Sequence, residues 1–292
     1  MNLILDAAFT KDEIRTALFQ MFPIKSPGID GFPALFYQKY WDKVGDLVSK
    51  ACLDCLNGGK SVRDFNSTLL VLIPKVLHPT RVLEFRPISL CNVVYKIIAK
   101  SLSNRFKCVL GNAISDNQSV FLPGRMITDN AIIGFECINS LRKRFRGKKG
   151  YLALKLDMSK AYDRVEWSFL QSMLLKLGFS ISWTDKIMDC VTTVSFSVLR
   201  NGRPEGVIRP IRGLRHGCPL SPYLFLVCTE GLSTSLHQAV SCGSIKGIKC
   251  GCSGPCISHL FFADDNLLFT RATDLDCSAL KSLFENYSNA SG

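Results

Sequence analysis

The stretch HLFFADDNLLF, residues 259–269, sets two acids, Asp264 and Asp265, between apolar runs that each have the composition of a strand. The turn between those strands must carry both charges. Asp-Asp is ordinary turn chemistry, because short acidic side chains bond their own backbone in tight loops. With apolar strand on both sides, however, the tip stands above a core with two adjacent anions, which repel each other unless a cation joins them.

A third acid, Asp157, follows YLALKL, where Leu152, Leu154 and Leu156 alternate with Tyr151, Ala153 and Lys155. This period of two predicts a strand that delivers Asp157 at its end. If the strands are sheet neighbours, three carboxylates meet. That arrangement is the chemistry of two-metal phosphoryl transfer, in which two Mg²⁺ ions about 3.5–4 Å apart activate an attacking hydroxyl and stabilise the leaving group. Mg²⁺ suits such a site because it prefers carboxylate and phosphate oxygens, with Mn²⁺ an alternative.

The composition is compatible with this reading. The 292 residues are 47% hydrophobic, enough for a sizeable core, and 36 Lys and Arg against 24 Asp and Glu leave a formal charge of +12. Such a balance suits a polyanionic partner. No long apolar run or targeting signal is visible, so the expectation is an intracellular protein, nuclear or cytoplasmic, with no membrane partner. The thirteen Cys are odd in number and several sit in apolar segments (Cys91, Cys137, Cys190, Cys228), which favours reduced thiols over a disulfide framework. Cys52 and Cys55 form a C-x-x-C on one helix face, expected in the core. Cys250, Cys252, Cys256 and His259 are all zinc-competent ligands, but their spacing is irregular for a zinc knuckle.

Strand-like and helix-like segments interleave without repeats, which predicts an α/β or α+β chain. The first zone holds a helical TKDEIRTALFQM, the turn-rich KSPGIDG, a strand STLLVLIPK, FRPISL and a helix around residues 93–110. A second holds QSVFLPGR, a helix near 128–145 and the basic cluster RKRFRGKKG at 142–150. The third holds YLALKLD, two helices, the hairpin-like SFSVLRNGRPEGVIRPIRG, a helix after Pro222 and the acidic strand pair.

Seven ordered segments resemble those of reverse transcriptases, in particular the non-LTR, LINE-type retrotransposon enzymes. LKLDMSKAYDRVEW looks like motif A, RGLRHGCPLSPYLF like motif B and HLFFADDNLLF like motif C, while KSPGIDGF, LIPK, FRPISL and QSVFLPGR are similar to fingers segments. The resemblance implies an α+β right-hand polymerase fold, with fingers over residues 1–150 and a palm over 151–292 whose antiparallel sheet is backed by helices. It also implies a chain ending before motif D and the thumb.

The implied activity is RNA-directed DNA polymerase, a nucleotidyltransferase that uses two metal ions to add deoxynucleotides to a primer 3′-end. Its partners would be an RNA template, a DNA primer and deoxynucleoside triphosphates. The resemblance makes Asp157, Asp264 and Asp265 the catalytic metal ligands, with the backbone carbonyl of Met158 a further one. Tyr162 matches a steric gate against the ribose 2′-hydroxyl; the other reading is a half-buried aromatic at a helix start. Lys75 and Arg86 match cations that grip the triphosphate, and each could instead be a surface cation. Gly217 matches a glycine that lets backbone approach the nascent base pair; the other reading is a plain turn. Lys25, Gln118, Phe121 and Arg125 look like template-side contacts, although Phe121 fits a core position slightly better than a stacking one.

Motif B departs from the usual pattern, with His216 in place of a glutamine that supports the nucleotide and Cys218 in place of an acid. The neutral imidazole offers fewer hydrogen bonds than an amide. Two alternatives follow: a catalytically inactive nucleic-acid-binding remnant of such a polymerase, and an RNA-dependent RNA polymerase, against which Tyr162 argues.

Overall fold

The alternating run that ends on Asp157 is a strand, as are the two apolar runs around Asp264, in a computed structural model that describes residues 1–143, 150–250 and 254–292. In chain order the elements are α1 (Asn2–Leu5), α2 (Lys11–Phe19), α3 (Ala34–Lys39), α4 (Trp41–Leu56), β1 (Ser67–Pro74), β2 (Phe85–Cys91), α5 (Val93–Leu110) and α6 (Ile127–Lys143). There follow β3 (Tyr151–Asp157), α7 (Ala161–Arg164), α8 (Trp167–Lys176), α9 (Ile181–Thr192), β4 (Ser195–Arg200), β5 (Arg203–Ile208) and α10 (Ser221–Ser241). The last are β6 (Ile248–Lys249), β7 (Cys256–Ile257), β8 (His259–Phe262), β9 (Asp265–Arg271) and α11 (Asp274–Ser291). Most of the basic cluster, residues 144–149, lies outside the described residues.

Two compact units result, and each is assembled from separated stretches of chain: residues 1–106 with 174–221, and residues 107–173 with 222–292. A single boundary at residue 150 does not describe them. The physical reason is the parallel pairing of β1 with β4, which returns a late segment to the first unit.

In the first unit the sheet order is β2-β1-β4-β5, antiparallel except at β1–β4. The expected hairpin is β4–β5, closed by Asn201 and Gly202 with φ of 49° and 78°. Two left-handed residues match the twist of the flanking strands, which is why Asn-Gly is favoured there. Thr10 opens α2 with a capping box, exchanging hydrogen bonds with Glu13. Arg105 of α5 then ties down the N-terminal segment, bonding Glu13 and the carbonyls of Ile4, Leu5, Ala7 and Ala8 while lying 3.5 Å over the Phe9 ring. Cys52 and Cys55 are buried on α4, in the core role expected of them.

In the second unit the sheet order is β3-β9-β8, antiparallel throughout. Alternation along its strands sends apolar side chains to both faces. Leu154, Leu156, Phe261 and Leu268 pack with Leu232 and Leu236 of α10 and Leu280 of α11. On the other face, Leu260, Leu267 and Phe269 pack with Cys137 of α6 and Ile248. Each fully buried side chain of this size contributes about 1.5–3 kcal/mol, so both layers hold the strands in register. The fold is thus α+β with an antiparallel sheet backed by helices, as expected of polymerase fingers and palm.

Where β9 leads into α11, Asp276 is buried and accepts from Thr270, Arg271, Thr273 and the Lys246 backbone N–H. Burial opposes its charge, but these bonds outweigh that effect and hold its pKa at about 2. Asp276→Asn should therefore lower stability at neutral pH by about 2–4 kcal/mol. A depressed carboxyl pKa stabilises above the unfolded value and loses that contribution on acidification. The difference from the parent chain in thermal melts should accordingly shrink as pH falls from about 4 towards about 2, and a difference independent of pH would contradict the assignment.

Candidate active site

Asp157 closes β3 directly across from Asp265, the first residue of β9, and Asp264 sits in the two-residue turn joining β8 to β9. Opposed residues on paired strands have Cβ atoms about 4.5–5.5 Å apart. Acids far apart in sequence are thereby brought to one end of one sheet, where all three are exposed. Ala263, the first turn residue, has φ of 56°. A left-handed residue at that position matches a type II′ hairpin, where glycine is usual. The Asp264 carbonyl accepts from the Met158 N–H and from Asn266 Nδ2, both at 3.3 Å, so the backbone after β3 is joined to the turn.

Lys155, two residues before Asp157 on the same strand face, reaches Asp265 at 3.0 Å. Its hydrogen bond to Asp265, reinforced by the charges of Asp265 and Asp157, raises the lysine pKa. The pair compensates part of the repulsion among the acids. Alternation could have flagged Lys155 from sequence, because it shares the Asp157 face. Among the described residues, no three His, Cys, Asp or Glu side chains are gathered into a metal cage. As a donor set, exposed carboxylates at an open sheet end suit a hard divalent ion that keeps water and substrate oxygens in its shell.

Tyr162 on α7 stacks on Phe225 of α10, with centroids 5.0 Å apart and planes 14° from parallel. Burial, and then the charge of Asp264, raise its pKa to about 12, so the phenol stays neutral beside the acids. Phe225 was not singled out from the sequence.

The QSVFLPGR segment behaves otherwise than the resemblance implies. Gln118 is 1% exposed, and its Oε1 accepts from the Ala263 N–H at 3.3 Å. The Arg125 guanidinium is occupied within its own loop, bonding the carbonyls of Gly111, Ile114, Ser115 and Gln118 and pairing with Asp116. For these two, a template contact is corrected to a structural bond, because burial or satisfied donors leave little for a phosphate. Phe121 is 47% exposed with φ of 61°, so it does not fill core. Its open ring face suits stacking.

Among the described residues, the Cys/His cluster does not assemble. His259 is fully buried, with Nε2 bonded to Ser233 and Nδ1 to Ser258. Burial, and then neighbouring His237, push its pKa down to about 3. Both ring nitrogens are thus occupied. Cys250 instead lies 3.3 Å from Cys137, and Cys252 is outside the described residues.

The remaining candidates belong to the first unit. Lys75 and Arg86 are exposed on the β1–β2 hairpin. Ile73 pairs with Arg86, and the Lys75 N–H continues the ladder to the Glu84 carbonyl, so the two cations share a face. Lys75 Nζ bonds the Leu83 carbonyl at 3.1 Å. Lys25 is exposed in the turn after α2. His216 is half-buried, and Gly217 has φ of 94°, a backbone conformation that disfavours any side chain, while Ser89 O lies at an ordinary contact distance of 3.4 Å from where a Cβ would stand.

A sheet of this topology carrying acids on a β-hairpin and on its neighbouring strand has the architecture of a nucleic-acid polymerase palm. The chain belongs to the reverse transcriptase (RNA-dependent DNA polymerase) family, whose profile matches residues 74–292. It is similar to the transposon TX1 uncharacterized 149 kDa protein of Xenopus laevis, 31% identical over 237 residues that cover 81% of this chain and 18% of that protein. It is also similar to the retrovirus-related Pol polyprotein from type-2 retrotransposable element R2DM of Drosophila melanogaster, 28% identical over 90% of this chain and 23% of that protein. An uncharacterized mitochondrial protein of Arabidopsis thaliana, AtMg01250, is 52% identical over 65 residues, 22% of this chain and 53% of that protein. The chain therefore spans about a fifth of the two transposon relatives. It is a reverse transcriptase domain of the non-LTR retrotransposon kind.

Arg215, beside the altered motif B positions, is buried and was not anticipated. It donates to Asn66 Oδ1 at 2.6 Å, Thr68 Oγ1 at 3.1 Å, the Cys190 carbonyl at 2.9 Å and Cys91 Sγ at 3.8 Å, all neutral acceptors, and lies 4.0 Å over the Tyr95 ring. The Tyr95 hydroxyl is 3.4 Å from Cys218 Sγ, so the cysteine lies beside the ring that the guanidinium covers. Cys218→Asp is expected to raise the unfolding free energy by about 1.5–3 kcal/mol, the contribution of a hydrogen bond to a charged group. A lowered denaturant midpoint would show instead that neutral acceptors already satisfy Arg215.

Proposed function

We propose that this chain extends a DNA primer on an RNA template with deoxynucleotides. The observation that carries this reading is the placement of Asp157, Asp264 and Asp265 at one sheet end, in a chain of the reverse transcriptase family. Reverse transcriptases generally use divalent metal ions. The carboxylates of Asp157, Asp264 and Asp265, with the Met158 carbonyl, would hold two Mg²⁺ ions here. When bound, such ions lower the pKa of the attacking 3′-hydroxyl and offset charge on the leaving pyrophosphate.

The residues themselves supply positioning and selection. Tyr162, held flat against Phe225, presents an aromatic edge that would crowd a 2′-hydroxyl. Lys75 and Arg86, on one face of their hairpin, have the charge and reach to take triphosphate oxygens. Gly217 leaves room for a base pair, and His216 contributes one donor or acceptor beside it. Lys25 suits a template phosphate and Phe121 a template base. The excess of positive charge favours a nucleic-acid partner throughout.

A second reading, nucleic-acid binding without synthesis, is favoured by His216 and Cys218 at the altered motif B positions. Primer extension separates the two. The parent chain should incorporate deoxynucleotides in Mg²⁺, and Asp264→Ala should lose at least about a hundredfold, since metal-assisted charge stabilisation amounts to several kcal/mol. Equal incorporation by both proteins would end the catalytic reading. In the same assay Tyr162→Ala should shift usage towards ribonucleotides by about tenfold or more, and an unchanged ratio would remove Tyr162 from the gate.

A further inference from the structure

We propose that Gln118 is a positioning residue for the acidic turn, fixing Ala263 and through it Asp264 and Asp265, and that the loop carrying Gln118 works as a brace on β8. The functional part of this inference rests on the reading of those acids as the catalytic pair.

β8 is the last strand of its sheet, so half of its backbone groups lack a strand partner. The segment around Asn117 and Gln118 covers them. The Phe261 N–H donates to the Asn117 carbonyl at 2.8 Å, and Gln118 forms a parallel bridge with Phe261. Asn117 Nδ2 donates to the His259 carbonyl at 2.7 Å. Asn130 of α6 fastens the pair from outside, donating to the Asn117 carbonyl at 2.7 Å and the Phe261 carbonyl at 3.1 Å. Arg125 closes the far side by gathering carbonyls of the same loop.

Gln118 then reaches past the end of β8 to the turn itself. Its Oε1 accepts from the N–H of Ala263, the residue held at a left-handed φ of 56°, and from its own loop at Val120. A non-glycine residue persists in that conformation only where its surroundings over-determine it. The carboxamide oxygen is such a constraint, applied one residue before Asp264. A template contact would need an accessible donor or acceptor, whereas Gln118 is 1% exposed and its oxygen is occupied. Its Nε2 is also buried and makes no hydrogen bond among the described residues, so the bonding role falls to Oε1.

Gln118→Met keeps length and removes the acceptor. Hydrogen exchange should show the Ala263 amide exchanging about tenfold faster or more, the Mg²⁺ concentration for half-maximal synthesis should rise, and the turnover number should fall by about tenfold. RNA template affinity, measured by fluorescence anisotropy, should stay within about twofold. A template Kd raised about tenfold, with Ala263 protection unchanged, would overturn the brace and restore the template role. Should Gln118→Met fail to fold, Asn130→Ser, which frees the loop while leaving Gln118 in place, is expected to give the same pattern, and an unaltered Ala263 amide there would equally overturn the proposal. If the parent chain shows no Asp264-dependent synthesis, the catalytic reading fails, and the exchange measurement still decides whether Gln118 braces the turn.

Discussion

The register in which β3 meets β9 is the constraint on which the rest of the second unit depends. Asp157 stands opposite Asp265 because Leu154 stands opposite Leu268 and Leu156 opposite Asn266. A slip of one residue would send the leucines to the wrong face and the acids apart. The penalty for that slip is set by apolar burial on both faces, against α10 and α11 on one side and α6 on the other. The core therefore does electrostatic work, since it holds like charges together against their repulsion.

Several devices make that tolerable. The acids are exposed at the sheet end, where water screens them, and Lys155 supplies a nearby cation. The turn is held from both sides, by Met158 and Asn266 at the Asp264 carbonyl and by Gln118 at the Ala263 amide. Tyr162 lies against Phe225 with its phenol neutral beside Asp264. Each holds geometry in place without adding a fixed charge that would compete with a divalent ion, apart from Lys155, whose side chain is long, exposed and free to swing away.

Much of this was legible in the sequence because it depends on local period. The alternation of Leu152, Leu154 and Leu156 predicts β3 and its terminal acid, the apolar runs around Asp264 predict their hairpin, and the hairpin-like SFSVLRNGRPEGVIRPIRG predicts β4–β5. What depends on distant partners was not legible. The bond from Gln118 to Ala263 crosses 145 residues of sequence, so a buried brace and an exposed template contact look alike in QSVFLPGR. Arg125 reads as a phosphate ligand until the carbonyls around it are known. His259 resembles a metal ligand only until Ser233 and Ser258 are seen to occupy its nitrogens. Phe121 errs the other way, an apolar residue left in the open by a left-handed backbone. The parallel β1–β4 pair, which defeats a single boundary at residue 150, leaves no local trace at all.

We propose that the sheet end formed by Asp157, Asp264 and Asp265 takes divalent metal ions. Anomalous diffraction from crystals of this chain grown with Mn²⁺ tests it most directly. Mn²⁺ peaks are expected bonded to Asp157 and to the Asp264–Asp265 turn, with the Lys155 ammonium displaced from Asp265. Saturating Mn²⁺ that leaves those carboxylates without a peak, and the Lys155–Asp265 pair intact, would contradict it.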